Sequence, residues 1–302
     1  MIHAGRAESA TPRFGRVLTA MVTPFADGGA LDLDSARALA RRLVDEEGND
    51  GLVVNGTTGE SPTTTDAEKA DLLRVVVDEV GDRASVVAGV GTFSTDHTCE
   101  LARQAADCGV DGLLVVTPYY SRPPQSGLLA HFEVVSAATD LPIMVYDIPH
   151  RSGVAIETET MVRLADLPTV VAVKDAKGDL GASSMVMALS DLDYYSGDDP
   201  LTLPLLSIGA VGVVGTSTHF SAPAMKAMVG AYLSGDVALA RQLHQQWLPV
   251  FTGVFAAQGV TMVKAALTAL GQSAGPLRLP MVPPAEELVS GFLAALEVAR
   301  AH

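Results

Sequence analysis

Positive charge is scarce in this 302-residue chain: 20 Lys and Arg stand against 35 Asp and Glu, a net charge of −15. A nucleic-acid binder needs a cationic footprint to displace counterions, and an anionic membrane surface asks for the same. Neither is expected as a partner. Cysteine is nearly missing. Cys99 and Cys108 sit nine residues apart in one helical pattern, which is neither a disulfide framework nor a CxxC metal or redox motif. A reducing cytoplasm is the expected home. Aromatics are only 5% while apolar residues are 48%, so the core is expected to consist largely of Ala, Val and Leu. No apolar run approaches the ~18–20 residues of a membrane span, and the opening stretch MIHAGRAESATPRFGR lacks the apolar centre of a signal peptide. The seven histidines (His3, His97, His131, His150, His219, His244 and His302) form no HxH or HExxH set, so no metal is expected.

What is present is a repeat of short apolar runs. They start at Val17, Gly51, Ser85, Gly112, Pro142, Val170, Asp193 and Val211, spaced 18 to 34 residues apart. Each is mostly apolar rather than alternating, as parallel strands covered on both faces require. Helical patterns lie between them. In DLDSARALARRLVDEEG, Asp32 or Asp34 can cap the start and Gly48 stops the helix; TTTDAEKADLLRVVVDEVG repeats the design with Gly81 as terminator. Eight strand–helix units predict a (β/α)8 TIM barrel. A doubly wound sheet would open with a Gly-rich nucleotide turn, whereas the first strand here runs into Thr23-Pro24-Phe25. From about Val237 three helical patterns follow without strands. The predicted division is a barrel with the catalytic site over 1–236 and a C-terminal helical appendix packed on it over 237–302.

Barrel enzymes work at the carboxyl ends of their strands. Polar residues cluster there, and Lys174 stands out. The chain has five lysines; Lys69, Lys177 and Lys226 fall in polar or turn-like settings, Lys264 can snorkel from a helix face, and Lys174 lies inside a β-run. Alternation places Ala172, Lys174 and Ala176 on one face, with room beside the amine. Burial lowers a lysine pKa and yields the neutral amine that a Schiff base needs. The alternative is a structural lysine paired with Asp175. Tyr146, one strand earlier, is a candidate proton donor and acceptor or else a core tyrosine with a satisfied hydroxyl. Arg151 can hold a carboxylate in its planar fork, or simply cap a helix. Thr57, Thr58 and Gly59 read as a polar turn at a helix start, suited to an anion or to plain capping.

Gly56-Thr57-Thr58-Gly59-Glu60, Thr117-Pro118-Tyr119-Tyr120, Tyr146-Asp147-Ile148-Pro149 and Val173-Lys174-Asp175, in this order, resemble the dihydrodipicolinate synthase and N-acetylneuraminate lyase superfamily. The resemblance implies that Lys174 forms a Schiff base with pyruvate and that Tyr146 moves the protons. It implies a relay completed by Thr58 and Tyr120, with Tyr120 reaching into a neighbouring subunit of a homotetramer built from tight dimers. Thr57 and Thr58 would hold the pyruvate carboxylate, Arg151 that of L-aspartate 4-semialdehyde, and Gly197 and Val214 would line the pocket. The implied reaction is their condensation in the diaminopimelate route to lysine, without metal or organic cofactor. Arg151 favours this over the alternative, a pyruvate-dependent aldolase acting on a 2-keto-3-deoxy sugar acid. A non-catalytic pyruvate-binding barrel is a second alternative. Asp147 replaces a frequent asparagine. Asp66, Lys69, Phe93 and His97 stand where lysine-inhibited members carry an effector cleft rich in His, Asn and Glu, so feedback by lysine is expected to be weak or absent.

Overall fold

The computed structural model describes residues 11–272 and 274–301. Eight parallel strands close into a barrel: β1 (Val17–Ala20), β2 (Gly51–Val54), β3 (Ser85–Gly89), β4 (Gly112–Val116), β5 (Ile143–Asp147), β6 (Val170–Asp175), β7 (Asp193–Ser196) and β8 (Gly212–Gly215). The barrel closes where β1 pairs with β8. Every strand coincides with one of the apolar runs. Their outward side chains meet the surrounding helices in one continuous core, while Leu18, Val53, Val87, Leu114, Met144, Ala172 and Val214 fill the barrel interior. The interior is therefore packed, and chemistry is confined to its carboxyl mouth.

The helix signals act as read from their chemistry. Asp32, not Asp34, caps Leu33–Arg41 by accepting the Ser35 N–H, and Gly48 takes a left-handed φ of 73° beyond the helical stretch. Thr65 and Glu68 form a reciprocal capping box for Asp66–Val80. That box corrects one expectation. Residues 57–60 form a turn that leads into a short 3-10 segment, Ser61–Thr63, so Thr57 and Thr58 precede the true helix start by a whole further turn.

Three helices, Val237–Gly253, Gly259–Ala269 and Glu286–Arg300, follow the helix after β8. Phe292 meets Phe220 edge-on across this packing. Among the described residues no helix is long and apolar enough to cross a membrane.

Candidate active site

Strand register builds the centre of the site. Tyr146 near the end of β5 pairs with Lys174 near the end of β6. Adjacent positions on parallel strands share a face, so both side chains enter the barrel mouth together. The Lys174 Nζ lies 4.3 Å from the centre of the Tyr146 ring. No carboxylate of the described residues comes within ion-pair distance of that amine. Asp175 points to the outer face, where it accepts from Ser183 Oγ and from the Lys177 N–H. The reading of Lys174 as a structural lysine paired with Asp175 is thereby removed.

Burial sets the protonation of the pair. Loss of hydration pushes Lys174 down to about 8, with the Arg151 charge acting in the same direction and Asp199 opposing. Burial pushes Tyr146 up to about 12, against the Arg151 charge and a hydrogen bond with Thr57. At neutral pH the phenol keeps its proton, and about a tenth of the amine is neutral and free to attack, far more than for an ordinary lysine.

The hydroxyl in contact with Tyr146 is that of Thr57. Thr58 Oγ1 is instead 3.5 Å from Thr216 Oγ1. Neighbouring residues of the turn point in different directions, so Tyr146 meets Thr57 and not Thr58. Thr23 Oγ1 donates to the Gly59 carbonyl at 2.6 Å and ties the turn to the end of the first strand. Thr216 is fixed on the other side. Its N–H donates to Asp199 Oδ2 at 3.1 Å, and its carbonyl accepts from His219 Nδ1 at 2.8 Å. The other ring nitrogen of His219 accepts the Val22 N–H, and burial drives this histidine down to about 3, so it stays neutral.

A cavity of about 460 Å³ opens over the amine, lined among others by Thr57, Thr58, Tyr146, Arg151, Lys174 and Gly197. A Cβ on Gly197 would sit 3.0 Å from Lys174 Cγ, so glycine here leaves the lysine stem its space. An adjoining cavity of about 280 Å³ shares Thr57, Tyr146 and Arg151. Arg151 follows β5 on the short helix Pro149–Ser152, its side chain exposed at the mouth. Val214 lies deeper, in the interior apolar layer, and Thr216, just beyond β8, lines the cavity wall in its place. Tyr120 is absent from both cavities. It is 94% exposed and holds a φ of 73°, while Tyr119 turns inward and lines the smaller cavity.

Three contributors were not singled out from the sequence. Thr216 directly follows the end of β8. Gln258 and Val260 line both cavities from the C-terminal helices, and only the Gln258 cap on the Val260 N–H hints at an ordered helix start there. Lys264 does not snorkel: it is buried against Glu60, and Lys69 is buried too, donating to the Thr64 carbonyl. No group of three or more His, Cys, Asp or Glu arranged to hold a metal exists among the described residues.

The chain is 65% identical over 277 residues to the 4-hydroxy-tetrahydrodipicolinate synthase of Acidothermus cellulolyticus, covering 92% of this chain and 90% of that one. It is 62% identical over 278 residues to 4-hydroxy-tetrahydrodipicolinate synthase 2 of Streptomyces coelicolor, covering 91% and 93%. The crystal structure of DHDPS from Cyanidioschyzon merolae with lysine bound matches with a TM-score of 0.93 at 39% identity, covering 96% and 99%. The model of the dihydrodipicolinate synthetase family matches residues 13–299, and with these relatives and a lysine–tyrosine pair at the barrel mouth the chain belongs to that family.

Proposed function

We propose that the protein is a Schiff-base lyase that condenses pyruvate with L-aspartate 4-semialdehyde to 4-hydroxy-tetrahydrodipicolinate, the product named in its relatives. The observation that carries the reading is Lys174: buried, without a carboxylate partner among the described residues, pushed down to about 8, and beside a protonated phenol.

The chemistry follows from these groups. Neutral Lys174 attacks the ketone carbon of pyruvate, and Tyr146 moves the proton that lets water leave. The protonated imine draws electrons from the neighbouring methyl, which loses a proton and becomes the enamine carbon. That carbon bonds to the aldehyde carbon of the second substrate, whose oxygen becomes the product hydroxyl. The substrate amine then attacks the imine carbon, closes the ring and releases Lys174. Thr57 connects Tyr146 to the proton path, Thr57 and Thr58 receive the pyruvate carboxylate, and Arg151 at the mouth receives the carboxylate of the semialdehyde. Tyr120 completes the relay from a neighbouring copy.

Feedback by lysine is expected to be weak or absent because the residues at the corresponding positions are engaged with partners of their own. His97 Nε2 is 2.9 Å from Asp66 Oδ2, the Lys69 amine is spent on a backbone carbonyl, and Phe93 stacks edge-on against Tyr119. Borohydride reduction with pyruvate should add mass to the peptide carrying Lys174. A coupled assay should show turnover with L-aspartate 4-semialdehyde, insensitive to millimolar lysine. An adduct on another lysine, or pyruvate release from 2-keto-3-deoxy sugar acids in place of condensation, would overturn the reading.

A further inference from the structure

The Thr57–Thr58 turn ends on a residue in an unfavourable conformation. Glu60 has φ 55° and ψ 34°, the left-handed region that a side chain with a Cβ seldom occupies. Such a geometry persists where surrounding contacts over-determine it. Those contacts come from the C-terminal segment, from the helix Gly259–Ala269 and the loop that follows it. Glu60 Oε1 lies 2.7 Å from Lys264 Nζ, with the two side chains only 1% and 3% exposed. Glu60 Oε2 accepts the Arg278 N–H at 2.9 Å. The amine of Lys264 also donates to the Pro276 carbonyl at 2.8 Å and sits 4.3 Å from the centre of the Phe25 ring, against which the Arg278 guanidinium packs as well. Arg278 is itself tied to Glu68, to the Gly29 carbonyl and to the Thr63 carbonyl. Every charged group in this cluster is matched, as burial demands.

We propose that the buried Glu60–Lys264 ion pair is a positioning device that holds the Thr57–Thr58 turn in its pyruvate-binding geometry, making the C-terminal helices part of the catalytic apparatus. The inference rests on the assignment of Thr57 and Thr58 to the pyruvate carboxylate. The path is short. Glu60 closes the turn through its N–H to the Thr57 carbonyl at 3.2 Å, and the helix that carries Lys264 begins at Gly259, between the cavity-lining Gln258 and Val260. Lys264 touches none of the reacting atoms and acts through Glu60.

The test compares Lys264→Met with Leu267→Ala, a core truncation on the same helix that leaves Glu60 alone. Lys264→Met should raise the pyruvate KM by about ten-fold or more, leave the semialdehyde KM within about two-fold, and still trap pyruvate on Lys174 at saturation. Leu267→Ala should lower the thermal midpoint without moving the pyruvate KM. If Lys264→Met does not fold with an unpaired carboxylate left behind, Glu60→Gln/Lys264→Met, which strands no charge, carries the same expectation. A pyruvate KM unchanged in the folded variant, or moved equally by Leu267→Ala, overturns the proposal. Failure of the native protein to trap pyruvate at all would bring down the assignment of the turn, and this inference with it.

Discussion

Lys174 breaks a local rule of the strand that carries it. A lysine inside an apolar strand is costly unless its charge can be given up, and the structure shows burial without a carboxylate partner. The choice between Thr57 and Thr58 was not legible. It depends on which way each side chain leaves the turn, and two adjacent threonines carry no sequence signal for that. Two consequences belong to this scale. Imine formation with pyruvate needs the neutral amine, so its rate should fall about ten-fold per pH unit below about 8 and level off above it. Tyr146, pushed up to about 12, stays protonated throughout that range. Trapping rates measured across pH would contradict this if they showed no dependence, or a midpoint near the ordinary lysine value. Thr57→Val should cut kcat by about a hundred-fold, whereas Thr58→Val should act mainly on the pyruvate KM; steady-state kinetics showing the reverse would restore the relay to Thr58.

Among the elements, the strands and one cap followed from short-range chemistry: apolar runs of strand length, and Asp32 as one of two caps on offer; the Thr65–Glu68 box came only with the structure. What failed was long-range. Lys264 reads as a helix-face lysine because its partner Glu60 lies about two hundred residues away in the chain, and no local period encodes that pairing. Asp147 is a similar case. It ends β5 beside Tyr146 but faces outward, opposite Asp175 in the register. Its Oδ1 accepts the Ile156 N–H at 3.3 Å, Lys177 is 3.5 Å from its Oδ2, and burial pushes the carboxyl up to about 6. The folded state therefore keeps a proton that the unfolded chain has already released above the ordinary 3.8. More protons bound in the folded state means that stability falls as pH rises from about 4 through about 6. Asp147→Asn removes this burden. It should raise stability at pH 7.5 by about 1–3 kcal/mol and change it little at pH 4, as denaturant melts at the two pH values would show. A loss of stability at pH 7.5 would mean that the Lys177 contact outweighs desolvation.

At the scale of the whole molecule, the proposed relay through Tyr120 would leave one chain an incomplete enzyme. Tyr120 sits in a left-handed conformation with 94% of its surface open, and Phe93 beside the inward-turned Tyr119 is 63% exposed. Backbone strain of order 1–3 kcal/mol on an uncovered tyrosine calls for contacts from outside the chain, and a second copy presenting the same face would supply them with two-fold symmetry. In that proposed arrangement each tyrosine would serve the partner's Lys174, and pairs of such dimers would make a tetramer, which sedimentation should find at four times 31.3 kDa. The assignment in trans can be separated from one in cis by mixing. Lys174→Ala has no nucleophile but carries an intact Tyr120; Tyr120→Phe has the nucleophile but a broken relay. If the relay crosses the interface, a hybrid dimer contains one site with both groups intact, so unfolding and refolding the two variants together should yield activity well above the sum of the parents. If Tyr120 served its own barrel, no hybrid site would be complete, the mixture would show only the average of its components, and the subunit would have to bend that tyrosine back across the cavity mouth where Tyr119 now stands.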